Sequence, residues 1–299
     1  FVLDFSRKEV VDEIYGQMHT LLSQAKISYI KWDMNRSISE CYSTAFPADR
    51  QGEIFHRYIL GVYSLHERLI QAFPELLIES CSSGGGRFDA GMLYYAPQGW
   101  TSDDSDAIER LKIQYGTSLV YPISCMGAHV SACPNSQVGR NTPIETRGNV
   151  AMTGAFGYEL DLNRLSEEEL KTVKQQVVFY KQNRKLLAQG SFYRLLSPFE
   201  GNFAAWEVAE PDGSRALVTV TRILSEINGH YRRIPLLGLN PNRKYRIYSR
   251  YLSYEAYGDE LMQFGLMLED QASGQIIEGS GGSGSCEDFR SLVYEVLAI

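Results

Sequence analysis

Up to Leu187 the chain alternates short apolar runs with amphipathic helical patterns, and after Gly190 the alternation stops. Strand–helix alternation with short connections implies a parallel sheet, whereas short β-rich segments between turn signals imply an all-β unit. Phe1–Phe5 reads as a strand, and a helix follows with Val10, Val11, Ile14, Met18, Leu21 and Leu22 at three-four spacing. Ile27–Trp32 reads as a strand, Ile54–Phe73 as an amphipathic helix and Leu76–Ser80 as a strand. A short strand ends at Trp100, and Leu119–Ile123 and Val150–Phe156 read as two more. Asp106, with Glu109 three residues on, has the pattern of a helix-opening capping box, and so does Ser166 with Glu169. The second of these helices runs through Val173, Val177 and Tyr180, and Gly190 is expected to stop it.

Beyond Gly190, residues 204–207, 216–221, 232–237, 244–248 and 292–297 read as strands. They are punctuated by turns such as Pro211-Asp212-Gly213 and Asn240-Pro241-Asn242. An antiparallel β-sandwich is the expected architecture, with Gly279–Ser285 as a flexible loop. The division expected is an α/β unit over residues 1–190 and an all-β unit over 191–299.

Composition excludes several classes. A net charge of −7, with no basic stripe, argues against nucleic acid as a partner. Nothing approaches 18 consecutive apolar residues, so no membrane-spanning helix is expected. The five cysteines (Cys41, Cys81, Cys125, Cys133 and Cys286) are odd in number and lack a CxxC spacing, which points to free thiols and a cytoplasmic location. The chain opens inside an apolar run at Phe1, so an upstream portion is expected. Aromatic side chains at 12% and 26 glycines suit a sugar-binding cleft.

The chemically pointed residues fall just after the expected strand ends: Lys31 to Asp33, Cys81 to Arg87, Trp100 to Asp103 and Cys125 to His129. Active sites of parallel α/β folds, barrels and open sheets alike, lie at that edge. Strand alternation points Lys31 and Asp33 the same way, and the lysine favours the ionised carboxylate that a nucleophile requires. Of the acidic cluster, Asp106 is best explained as a helix cap. Asp103 lies nearest the strand end beside Trp100, where apolar cover and mutual repulsion favour the protonated form of a general acid. Two carboxylates at strand ends are the minimum equipment for cleaving a glycosidic bond.

Rival readings remain at this level. Asp103, Asp104 and Asp106 also resemble an oxygen-ligand cluster for a divalent metal. Cys81 could act as a thiol nucleophile with His129 as its partner, although His129 reads better as a hydrogen-bonded residue near the site. The glycine run after Cys81 lacks the GK[ST] of a phosphate loop and instead suits close approach of backbone to a ligand. Six strand-like runs precede Leu165, so the sheet is either open or an eight-stranded barrel with about two strands upstream.

The segments LDFSR (Leu3–Arg7), KWDMNR (Lys31–Arg36), ESCSSGGGRFD (Glu79–Asp89), WTSDDSDAIER (Trp100–Arg110) and MGAHVS (Met126–Ser131), in this order, resemble the α-galactosidases of glycoside hydrolase family 36. The resemblance implies a (β/α)8 TIM barrel, its first strands missing from this chain, followed by a C-terminal all-β sandwich. It implies a retaining exo-α-galactosidase acting on melibiose- and raffinose-type substrates, with Asp33 as nucleophile and Asp103 as acid/base. Lys31, Cys81, Gly84 and Trp100 are the implied sugar contacts, and the adjoining Trp32 and Arg87 complete the candidate substrate-binding set. No cofactor or metal is expected, and a homo-oligomer is expected of the full-length enzyme. An α-N-acetylgalactosaminidase, an α-galactosyl transglycosidase or a non-catalytic carbohydrate-binding protein could use the same scaffold. Residues 1–299 by themselves are expected to be inactive, because an unclosed barrel leaves an unpaired edge.

Overall fold

The computed structural model describes residues 2–39, 41–84, 86–226, 232–250, 252–268 and 288–299. The expected loop Gly279–Ser285, and Cys286, lie outside the described residues. The chain divides into two compact units, Phe1–Asp103 and Asp104–Ile299.

The first unit runs α1 (Lys8–Gln24), β1 (Tyr29–Asp33), α2 (Ile54–Ala72), β2 (Leu77–Cys81), α3 (Ala90–Tyr95) and β3 (Gln98–Trp100). β1 pairs in parallel with β2, and β2 with β3. The apolar face of α2 buries Tyr58, Val62, Leu65 and Leu69, a spacing that keeps one stripe of a helix facing inward. They pack with Phe5, Val11, Leu22, Ile78 and Met92, and with the partly buried Ile30 and Trp32. Each fully buried leucine of this cluster contributes about 1.5–3 kcal/mol. The expected strand at Phe1–Phe5 is not formed in the described part: the Phe5 amide bonds Leu3 O, and the Asp4 carboxylate accepts from the Ser6 amide. Those local bonds make a turn.

The second unit opens with α4 (Ala107–Ser118), β4 (Met126–Ser131), α5 (Ile144–Ala151), β5 (Ala155–Glu159) and α6 (Glu167–Gln189). β4 and β5 pair in parallel. Two expectations are corrected here. Leu119–Ile123 is not a strand: the amides of Leu119, Val120 and Tyr121 bond back to Gly116 and Thr117, so the end of α4 wraps on itself. The strand begins at Met126, which puts His129 inside β4 and not beyond its end. Val150 and Ala151 close α5, and the strand starts at Ala155, since a short apolar run does not distinguish a helix end from a strand.

The Ser166–Glu169 capping box forms in both directions. Gly190 does end α6, but with an ordinary φ of −71°. Glycine is needed there because a Cβ would lie 2.6 Å from Leu186 O and 2.8 Å from Val208 Cγ1.

The C-terminal strands are β6 (Ser191–Leu196), β7 (Phe203–Ala209), β8 (Arg215–Arg222), β9 (Arg233–Ile234), β10 (Lys244–Tyr248), β11 (Ser253–Tyr257), β12 (Leu266–Met267) and β13 (Arg290–Ala298), with α7 (Gly258–Gln263) before β12. Six of them form an antiparallel sheet in the order β11-β10-β13-β8-β7-β6, and β9 pairs with β12. One face of the large sheet buries Ala205, Val218, Tyr245, Ile247 and Tyr294 together with Ile234 and Leu266 of the small sheet. The other face buries Ala204 and Trp206 against Ile108, Leu111 and Val150. β7 is therefore buried along its whole length, and Glu207 within it accepts hydrogen bonds from the Leu237 and Gly238 amides. Only two residues of the expected strand 232–237 pair, because Pro235 follows at once. Among the described residues no helix is long and apolar enough to cross a membrane.

Candidate active site

β1 presents Tyr29, Lys31 and Asp33 on one face and Ile30 and Trp32 on the other, as the exposure alternation along the strand records. Ile30 and Trp32 enter the core beneath α2, where the Trp32 ring meets His66 edge to face at 5.4 Å. Trp32 was expected beside a bound sugar, but the structure does not bring it to the face that carries Lys31 and Asp33.

The β1–β2 register sets Lys31 against Glu79 and Asp33 against Cys81. Cys81 is buried, and that burial, followed by a hydrogen bond to Asp33, pushes its thiol up to about 11. The thiol stays protonated at neutral pH and is a donor toward Asp33, which argues against the thiolate-nucleophile reading. Glu79, also buried, accepts a hydrogen bond from the Tyr29 hydroxyl. Burial, then this bond, drives the Tyr29 phenol upward.

β3 lies beside β2 with Ser80 against Gly99, so Trp100 follows at the strand end. The Lys31 Nζ sits 5.0 Å from the centroid of the Trp100 ring, within cation–π range. Lys31, Asp33, Cys81 and Trp100 thus gather at the C-terminal ends of three neighbouring strands.

The loop after β2 completes the group. Gly84 has φ +75°, and a Cβ there would lie 2.6 Å from Ser102 Cα and 2.8 Å from the Asp103 amide nitrogen. Gly84 therefore lets this loop sit directly against the backbone that carries Asp103. Ser83, at φ +45°, also occupies the left-handed region.

Arg87 does not present a free guanidinium. It donates to Met34 O and Ser82 Oγ, and to Arg36 O at 3.1 Å. The side chain expected to bind substrate instead ties the segment after β1 to the loop after β2.

The three aspartates that follow Trp100 have different surroundings. Asp103 is exposed. Asp104 Oδ1 accepts from the Asp106 amide at 3.0 Å. The buried Asp106 caps α4 through the amides of Ile108 and Glu109, both at 3.0 Å, and pairs with Arg140. Among the described residues no three acidic, histidine or cysteine side chains are grouped to hold a metal ion. The commitment of Asp106 to amides and to a guanidinium disfavours the metal-cluster reading. His129 Nδ1 lies 3.3 Å from Glu159 Oε2.

One residue absent from the sequence candidates belongs here. Asn35 Nδ2 donates to Asp33 Oδ2 at 3.0 Å, and Asn35 Oδ1 accepts from the Ser83 amide at 2.8 Å. The signal was in KWDMNR itself, an amide side chain two residues beyond the candidate nucleophile.

Comparison with known proteins bears on this grouping. The profile of the family described as Melibiase matches residues 1–190. The chain belongs to glycoside hydrolase family 36. The profile of the family 36 C-terminal domain matches residues 203–296. This family 36 chain is 55% identical over 299 residues to alpha-galactosidase AgaA of Geobacillus stearothermophilus, covering all of this chain and 38% of that protein. It is 51% identical over 265 residues to alpha-galactosidase 1 of Pediococcus pentosaceus, covering 89% of this chain and 36% of that protein. The crystal structure of AgaA superposes with a TM-score of 0.91 at 51% identity, covering 100% of this chain and 39% of the other. That of the Lactobacillus brevis alpha-galactosidase gives 0.92 at 48% identity, again covering 100% and 39%. The fold class is therefore that of the family 36 barrel followed by its C-terminal β domain. The chain spans somewhat more than a third of the length of these relatives.

Proposed function

We propose that this chain carries the nucleophile and the acid/base of a retaining exo-α-galactosidase, with residues 1–190 contributing to the catalytic barrel and 191–299 forming its C-terminal β domain. The observation that carries the reading is the convergence of Asp33, Cys81, Lys31 and Trp100 at neighbouring strand ends. The Gly84 loop beside them seats the Asp103 backbone. A variant of AgaA has been crystallised in complex with raffinose and another in complex with stachyose, which supports α-galactosides of that type as substrates here.

Asp33 attacks the anomeric carbon, the glycosidic bond breaks, and Asp103 gives its proton to the departing oxygen. Water then displaces Asp33 from the β-galactosyl ester while Asp103 takes the water's proton, so the product keeps the α configuration. Lys31 binds sugar hydroxyls, Trp100 forms an apolar wall, and the Cys81 thiol and the glycine loop face the sugar. Asp33 and Asp103 are weighted above Trp32 and Arg87, whose side chains are engaged within the protein. A cytoplasmic homo-oligomer without a cofactor completes the reading.

The test uses the complete natural protein with melibiose and raffinose. Asp33→Ala and Asp103→Ala should each lower kcat/KM by orders of magnitude, and the first-formed galactose should be the α anomer by NMR. Near-normal turnover in either variant, or a β anomer, overturns the assignment. Preference for N-acetylgalactosaminyl substrates, or transfer to sucrose in place of water, would redirect it to the related activities. Loss of activity with a chelator would favour the metal-dependent alternative.

A further inference from the structure

We propose that Ser131 and Gln137 are positioning residues that hold the backbone leaving Asp103; the proposal rests on the reading of Asp103 as acid/base. Ser105, two residues beyond Asp103, has all three of its polar groups bound by one short stretch of chain at the end of β4. Its amide donates to Gln137 Oε1 at 3.0 Å, its carbonyl accepts from Ser131 Oγ at 3.1 Å, and its hydroxyl accepts from Asn135 Nδ2 at 3.3 Å.

The clamp is itself anchored. Ser131 is buried at the C-terminal end of β4, and its carbonyl accepts from Arg147 at 2.7 Å. Asn135 is also buried, and its Oδ1 accepts from the amides of Gln137 at 2.9 Å and Val138 at 3.1 Å. The Asn135 amide bonds Arg140 O and the Gly139 amide bonds Asn135 O, both at 2.9 Å, which closes the turn that presents Gln137. On the other side, Asp104 Oδ1 accepts from the Asp106 amide at 3.0 Å, so the residues between Asp103 and α4 form a closed turn of their own. Ser105 is the point at which that turn is tied to the strand. The Asp106 cap fixes the start of α4, whereas the clamp fixes the residue next but one to the acid/base. Asp103 is exposed, so its place is set more by the backbone that carries it than by packing around its side chain. A general acid must stand within hydrogen-bond reach of the oxygen it protonates, and a displacement of about 1 Å is costly in rate. Ser131 and Gln137 therefore act through Ser105, without touching the sugar.

Leaving-group dependence separates this role from general support of the fold. The departing oxygen of melibiose needs the proton from Asp103, whereas 2,4-dinitrophenolate leaves without one. In the complete protein, Ser131→Ala combined with Gln137→Met should lower kcat/KM for melibiose about tenfold or more, and for 2,4-dinitrophenyl α-galactoside less than about twofold. Gln137 is exposed, so Gln137→Met alone leaves the fold intact and should show the same contrast at about threefold. Azide should raise kcat of the double variant on the aryl substrate and yield α-galactosyl azide, because the azide ion displaces Asp33 from the galactosyl ester with no proton to remove. Equal losses on the two substrates, or parental kinetics on both, overturn the proposal. Asp103→Ala checks the underlying reading separately: it should show the same contrast more strongly, about 100-fold or more on melibiose. If Asp103→Ala shows it and the clamp variants do not, the acid/base reading stands and the positioning role falls. If Asp103→Ala slows both substrates equally, the two claims fall together.

Discussion

The α-carbon of Gly84 lies directly against the backbone of Asp103, with room for no side chain: a Cβ at position 84 would come within 2.8 Å of the Asp103 amide nitrogen. The φ of +75° adds a second constraint, since an L side chain in the left-handed region costs about 1–2 kcal/mol. Gly84→Ala must therefore push back the 102–103 backbone or distort its own loop. Because a displacement of about 1 Å at a reacting group can cost on the order of 100-fold in rate, kcat/KM should fall by at least about tenfold. Steady-state kinetics beside a thermal melt checks this, and a stable variant with parental kinetics would show that the contact does not matter for turnover.

Asp106 should behave differently from Asp103 although only two residues separate them. Its carboxylate caps α4 and pairs with Arg140 in a buried setting. Asp106→Ala removes both partners and should destabilise the protein by about 1–3 kcal/mol. Asp106→Asn keeps the cap, because asparagine is as good an N-cap as aspartate, and should cost less. Urea denaturation of the two variants gives the order, and the folded fraction of each should keep kcat within a few fold. An Asp106→Asn variant that is fully stable yet has lost turnover would place Asp106 in the chemistry instead.

Much of this was legible in the sequence because it follows from period and capping chemistry. The two-residue strand period alone puts Lys31 and Asp33 on one face. The same rule puts Trp32 on the other, so proximity in sequence misled there. Asp106 and Ser166 announced their helices by the acceptor side chains that amides require. What was not legible depended on distant segments meeting. Asn35 and Ser83 are brought together by the parallel register of β1 and β2, and Arg87 meets the carbonyls of Met34 and Arg36 by the same route. The apolar runs at Leu119 and Val150 were ambiguous because hydrophobicity over a few residues does not specify a hydrogen-bond partner. At Leu119 the partners are local carbonyls at the end of α4.

Cysteine reactivity offers a test independent of turnover. Cys133 is exposed, whereas Cys81 is buried with its thiol pushed up to about 11 by burial and by its bond to Asp33. The thiolate is the species that alkylates. Iodoacetamide at pH 7.5 should therefore label Cys133 well before Cys81, with peptide mass spectrometry following each site over time. Preferential labelling of Cys81 would mean that its thiol ionises readily, and would revive it as a nucleophile.

Acid sensitivity of the first unit should trace in part to His66. It is fully buried on α2 against Trp32, and neither ring nitrogen has a hydrogen-bond partner. Burial drives its pKa from an ordinary 6.5 down to about 4. Above about pH 6.5 the ring is neutral in both folded and unfolded chains, so its burial carries no proton-linked penalty. Between 6.5 and 4 the unfolded chain binds a proton that the folded chain does not, so stability falls as the pH falls through that window. The loss from this one group should reach roughly 2 kcal/mol by pH 5. The urea midpoint measured at pH 7 and pH 5 should drop accordingly, and His66→Leu, which cannot take up the proton, should show a smaller drop between the two pH values even if it is less stable at both. An unchanged pH dependence in His66→Leu would mean that the folded protein accommodates the charged ring, and that this buried position is not what limits stability in acid.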